Sequence, residues 1–113
     1  MSRVNEITAG EFQSEVFVAD GPVVVDLYAD WCGPCRALAP LLDRLADAYA
    51  GRVKFVKVNV DDEPEVARHF DVASIPTLLV FDRGRLVQRL TGLPDPQGFV
   101  ALLDQLAGSR VPA

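Results

Sequence analysis

Cys32 and Cys35 are the only cysteines among 113 residues, and they stand three apart in Trp31-Cys32-Gly33-Pro34-Cys35. Residues at i and i+3 where a helix starts lie about 5–6 Å apart at Cβ. That is a little wider than an ideal disulfide and adjustable at a helix end. Such a pair can close a disulfide and open it again. A disulfide over so short a loop adds little global stability, so the pair reads as chemical rather than structural. Only a thiolate attacks a disulfide. Cys32 sits where helix N–H groups point outward and the helix dipole is positive, and both favour an anion. Pro34 starts the helix without an N–H to leave unsatisfied. Gly33 lets the backbone turn and leaves room for a bulky protein substrate. Cys35, one turn deeper, is expected to be less exposed and to keep its proton longer. Cys32 is therefore assigned the attack and Cys35 the resolution. Inert core packing and half of a zinc site are the competing readings, but zinc takes four ligands. No second cysteine pair exists, and the only histidine, His69, is distant in sequence.

Asp26 interrupts the apolar run Val23-Val24-Val25-Asp26-Leu27-Tyr28-Ala29. A lone buried carboxylate costs several kcal/mol unless it is paired or protonated. Desolvation raises its pKa and makes it a proton acceptor near neutral pH. Lys57 interrupts a second apolar strand and is the obvious partner. The residues alone leave Asp26 open between a proton-transfer role and a structural ion pair. Ile75-Pro76 precedes a third core strand, and its residues alone favour a trans bond. Trp31 is either a core aromatic or an exposed contact beside the thiol. Asp61-Asp62-Glu63 with Glu65 reads as a solvated acidic turn, and His69 as a surface or packing residue.

The elements that hold these residues follow from periodicity. Thr8-Ala9-Gly10-Glu11 is a capping-box pattern, with Phe12, Val16 and Phe17 at helical spacing behind it. Gly21-Pro22 breaks that helix, and the run from Val23 to Ala29 reads as a strand buried on both faces. Leu38, Leu41, Leu42, Leu45 and Tyr49 mark one face of a long helix, which Pro40 is expected to kink, and Gly51 ends it. Val53 to Val58 is a second core strand, Pro64 to Phe70 a short helix, and Thr77 to Phe81 a third strand. Asp82-Arg83-Gly84-Arg85 makes a tight turn into Leu86–Thr91. Asp95 caps a last helix with Pro96 at its first position. Phe99, Leu102, Leu103 and Leu106 form its buried stripe, and Gly108 stops it. Val4–Ile7 adds a short strand. Alternation first and a hairpin last imply one α/β domain, a mixed sheet with helices on both faces.

Half of the residues are hydrophobic, enough for a core. The net charge of −5 argues against nucleic acid as a partner. No apolar run is long enough for a bilayer. The polar start Met1–Glu6 lacks a signal-peptide core, so a cytoplasmic protein is expected, where disulfides are transient and catalytic.

The five-residue segment resembles the active site of the thioredoxin family, a standard instance of such chemistry. The resemblance extends to Val25-Asp26 before it, Pro40 at the helix kink, Lys57-Val58-Asn59-Val60-Asp61, Ile75-Pro76-Thr77, Gly84 and Gly92, and it runs from about Val4 to Leu106. It implies the thioredoxin fold, a central mixed sheet of four to five strands flanked by four helices. It also implies a cis Pro76 beside the dithiol, with the backbone of Ile75 pairing with an extended substrate segment. Trp31, Gly33, Pro34, Ile75, Pro76 and Gly92 would form the contact surface around Cys32, and Asp26 would transfer a proton for Cys35 with Lys57 tuning it. The implied activity is general protein-disulfide reduction by a monomer with no bound cofactor, a redox-active Cys32–Cys35 disulfide and disulfide-containing proteins as substrates. Electrons would come from NADPH through a flavin-dependent thioredoxin reductase. Tyr28 stands where tryptophan is common, Asp30 precedes Trp31, Ser74 replaces a frequent glycine, and Leu93 is bulkier than usual. The rival readings are an oxidase or isomerase of the same fold, against which Gly33-Pro34 argues, and a binding module whose thiols are incidental.

Overall fold

The computed structural model describes residues 2–108. Its centre is the apolar run that Asp26 interrupts. Strands β1 (Asn5–Glu6), β2 (Pro22–Tyr28), β3 (Lys54–Asn59), β4 (Thr77–Asp82) and β5 (Arg85–Thr91) form one sheet in the order β1-β3-β2-β4-β5. β1, β3 and β2 run parallel, while β4 and β5 are antiparallel to their neighbours. Helices α1 (Gly33–Ala48), α2 (Pro64–His69) and α3 (Pro96–Gly108) complete it with a helical segment before β2. This is the thioredoxin fold.

Successive side chains of a strand point to opposite faces, and each face of β2 meets a different core. Val24 joins Phe55, Leu78 and Val80 against Leu38, Leu42 and Leu45 of α1 and Phe99 and Leu103 of α3. Val23, Val25 and Leu27 join Val56, Val58, Leu79 and Phe81 against Phe12, Val16 and Val66. Burial on both faces explains the unbroken apolar run. It also places Asp26 on the α1/α3 face with Val24. The short β1, the hairpin and the Asp95 cap lie where the pattern put them; the Asp95 carboxylate accepts the Gly98 N–H at 3.1 Å.

The first helical segment departs from the expected helix. Ala9–Glu11 is a 3₁₀ turn and Gln13–Phe17 a π turn. The Glu11 carboxylate takes the Thr8 N–H at 2.9 Å, as in a capping box. An α-helix would set Phe12 and Phe17 on different sides. The wider turn brings both rings into one aromatic cluster, 5.1 Å apart, with Phe81 touching each. Gly84, at φ +80°, closes the hairpin under this segment; a Cβ there would stand 2.3 Å from the Phe17 carbonyl oxygen. Only glycine suits such a position.

Candidate active site

β2 delivers the chain to the sheet's C-terminal edge, and α1 begins at once. Cys32 is the N-cap of α1, with extended backbone, and its Sγ accepts the Cys35 N–H at 3.2 Å. The two cysteines are joined as a disulfide with a Cα–Cα distance of 5.2 Å, inside the usual range for such bonds. A thiolate released at Cys32 therefore inherits a hydrogen bond and the positive end of a helix.

Two expectations about this segment need correction. Cys32 and Cys35 are equally covered, each 4 % exposed, so Cys35 is not the more buried of the two. With the disulfide closed, Ala29, Tyr28, Val60 and Ile75 pack around both. Gly33 is not needed for a turn, since its backbone is not among those at positive φ. A Cβ there would meet nothing nearer than Arg36 Nη2 at 3.9 Å. Gly33 is exposed, and Pro34 is exposed beside it.

Trp31 is 68 % exposed, which makes it a surface contact and not a core aromatic. Its indole Nε1 donates to the Asp61 carboxylate at 2.8 Å. Asn59 builds that turn: its buried side-chain oxygen accepts the Asp61 N–H at 2.9 Å. The acidic run is thus an organised turn, and Glu63 also accepts the Ala9 N–H at 2.8 Å. In the sequence Asn59 stands at a strand exit, and an Asn directly before such a turn is the signal for its role. Arg36 donates to the Asp30 carbonyl at 2.7 Å and fastens the residue ahead of Trp31.

The Ile75–Pro76 bond is cis, against the preference of the two residues alone. Ile75 packs on the dithiol cluster. The Thr77 hydroxyl holds the Ser74 carbonyl at 2.7 Å, and the Pro76 carbonyl accepts the Gly92 N–H at 2.8 Å. Gly92 sits at φ +81°. Leu93 is exposed next to it. Trp31, Gly33, Pro34, Ile75, Pro76 and Gly92 are thereby carried on three segments that end at the same sheet edge.

Asp26 is buried, and desolvation pushes its carboxyl up to about 7, with the Lys57 charge pulling the other way. Lys57 stands opposite Asp26 in register across β2 and β3. They form no ion pair, however, and Asp26 Oδ1 has no hydrogen-bond partner among the described residues. The Lys57 ammonium lies instead 5.4 Å from the Tyr28 ring centroid. His69 lies away from this site, edge-on to Phe70. No group of three or more metal-ligating side chains exists among the described residues. No helix among them is long and apolar enough to cross a membrane.

A dithiol at a helix N-terminus, with a buried carboxylate on the sheet face that the helix covers, can exchange disulfides, and comparison with known proteins agrees. The family model named Thioredoxin matches residues 3–105. Thioredoxin 1 of Nostoc sp. is 46% identical over 92 residues, covering 81% of this chain and 86% of its own. Thioredoxin of Haemophilus influenzae is 47% identical over 98 residues, 86% of this chain and 92% of its own. Thioredoxin of Porphyra purpurea is 43% identical over 89 residues, 79% of this chain and 83% of its own. The family match runs across the whole sheet and the five-residue segment, and so the chain belongs to the thioredoxin family of thiol–disulfide oxidoreductases.

Proposed function

We propose that this chain is a general protein-disulfide reductase in which Cys32 attacks, Cys35 resolves and Asp26 accepts the Cys35 proton. The observation that carries the assignment is the Cys35 N–H aimed at Cys32 Sγ at the N-cap of α1. It favours the thiolate at Cys32 over Cys35. The Cys32 thiolate displaces one sulfur of a substrate disulfide, which leaves as a thiolate, and the other sulfur stays bonded to Cys32. The Cys35 thiol gives its proton to the Asp26 carboxylate, whose pKa of about 7 suits the task. The Cys35 sulfur then attacks Cys32, the second substrate sulfur departs with its electron pair, and the Cys32–Cys35 disulfide is left behind. Lys57 sets how readily Asp26 ionises.

Trp31, Gly33, Pro34, Ile75, Pro76 and Gly92 receive an extended substrate segment, and the backbone of Ile75 pairs with it. The reaction uses no bound cofactor. Two electrons from NADPH, passed through a flavin-dependent thioredoxin reductase, return the dithiol. A cytoplasmic monomer suits a dithiol that must be kept reduced.

Cys35→Ser tests the order of attack. It should accumulate mixed disulfides through Cys32 with protein substrates. Cys32→Ser should trap none and lose insulin reduction with a thioredoxin reductase system. Mixed disulfides forming through Cys35 in Cys32→Ser, or activity retained by that variant, would reverse the assignment.

A further inference from the structure

Glu6, Lys57 and Asp26 form one lateral row across β1, β3 and β2: Glu6 is in register with Lys57, and Lys57 with Asp26. In-register neighbours on parallel strands point to the same face. One lysine therefore stands in the row between two carboxylate residues, yet it forms an ion pair with neither. Tyr28, two residues beyond Asp26 on the same face of β2, accounts for this. Its hydroxyl donates to the Glu6 carboxylate. Its ring lies 5.4 Å from Lys57 Nζ, within cation–π range. Burial and the Glu6 charge together push the Tyr28 hydroxyl well above its ordinary pKa, so it remains a donor.

We propose that Tyr28 is a positioning residue, whose hydroxyl holds Glu6 away from Lys57 and whose ring holds the ammonium, leaving that charge to Asp26. The other groups around the row do not offer a substitute. β4 places Leu78 opposite Asp26. α1 covers the same face with Leu38 and Leu42, and Tyr28 packs against the cluster of Ala29, Cys32 and Cys35. Asn59, in register with Tyr28, also hydrogen-bonds the Tyr28 side chain but carries no charge, and Asp30 acts on Tyr28 by its charge. Lys57 is the cation whose field reaches Asp26. Without the hydroxyl, Glu6 is an exposed carboxylate one strand away from an ammonium, and pairing with it neutralises the charge that favours ionised Asp26.

The kinetic consequence rests on Asp26 as the proton acceptor, but the electrostatic one is read on Asp26 itself. The experiment titrates the Asp26 carboxyl carbon by NMR in the oxidised protein, for the wild type, Tyr28→Phe, Glu6→Gln and the double variant. Tyr28→Phe keeps the ring and should move the Asp26 midpoint up by roughly half a pH unit or more. Adding Glu6→Gln should bring it back to the wild-type value or below, because the competing carboxylate is gone. A general loosening of the site would not be repaired by a change on β1. An unmoved midpoint in Tyr28→Phe, or a rise that persists in the double variant, overturns the proposal. Glu6 is exposed, so Glu6→Gln is an independent arm; a raised midpoint there alone also overturns it. In Tyr28→Phe the acid limb of insulin reduction should follow the midpoint to higher pH. A moved midpoint with an unmoved limb supports the role of Tyr28 and counts instead against Asp26 as acceptor.

Discussion

The indole N–H of Trp31 donates to the carboxylate of Asp61, 2.8 Å away, and ties the threshold of α1 to the turn after β3. Trp31 is largely exposed, so packing does little to hold its ring. The hydrogen bond, together with the Asn59 side chain behind Asp61, fixes the ring's orientation at the surface, where the proposed function has it meet a substrate. Asp61→Ala should therefore raise the KM for a protein disulfide by roughly threefold to tenfold, the scale of one hydrogen bond worth about 1 kcal/mol. Its kcat and thermal midpoint should change little. Trp31 is the only tryptophan, so its fluorescence anisotropy reports the freed ring directly and should fall in the variant.

Asp26 links the site to stability. Its carboxyl titrates near pH 3.9 in an unfolded chain and is raised to about 7 in the fold. Between those values the folded protein binds more protons than the unfolded one, so stability falls as pH rises through that window. Below about pH 4 both states are protonated and the penalty is absent; above pH 7 it is complete. Asp26→Asn removes the charge at nearly constant shape. It should be more stable than wild type at pH 8, by an amount of order 3 kcal/mol, and show almost no gain at pH 4. Denaturant unfolding at the two pH values measures the difference. The same variant should slow the resolving step, which places the cost in stability and the gain in catalysis on one residue.

The residues that reveal themselves in sequence are those whose environment is set by their own neighbours in the chain. Val23 to Leu27 reads as a two-sided core strand because each residue in it is apolar except Asp26, and the outlier is thereby exposed. Cys32 and Cys35 are legible because the helix start that activates them is written in the same five residues. Contacts made across the fold leave no such trace. Glu63 caps Ala9 from a distance of 54 residues. Arg89 donates to the Phe70 carbonyl at 2.6 Å and finishes α2 from β5. The cluster that holds Cys32 and Cys35 is covered by Tyr28, Val60 and Ile75, none of them in the motif. The π turn at Gln13–Phe17 arises because Phe12 and Phe17 share a cluster with Phe81. For Asp26 and Lys57, sequence found both partners but not the ring of Tyr28 that takes the ammonium.

Gly33 separates the demands of fold from those of substrate. Its backbone is not at positive φ, and a Cβ would have 3.9 Å of clearance to the nearest side-chain atom, Arg36 Nη2. It is the first residue of α1, where alanine is the better helix former. Gly33→Ala should thus fold normally and gain up to about 0.5 kcal/mol in denaturant unfolding. The added methyl group lies on the exposed surface beside Cys32, where, under the proposed function, a substrate polypeptide approaches the backbone. Turnover of insulin should fall through KM, while reduction of a small, flexible disulfide such as oxidised glutathione should be unchanged. Equal loss on both substrates would place the defect in the dithiol, and loss of stability would place it in the helix. Selective loss on the protein substrate, with stability kept or raised, identifies the missing side chain at position 33 as clearance for the substrate chain.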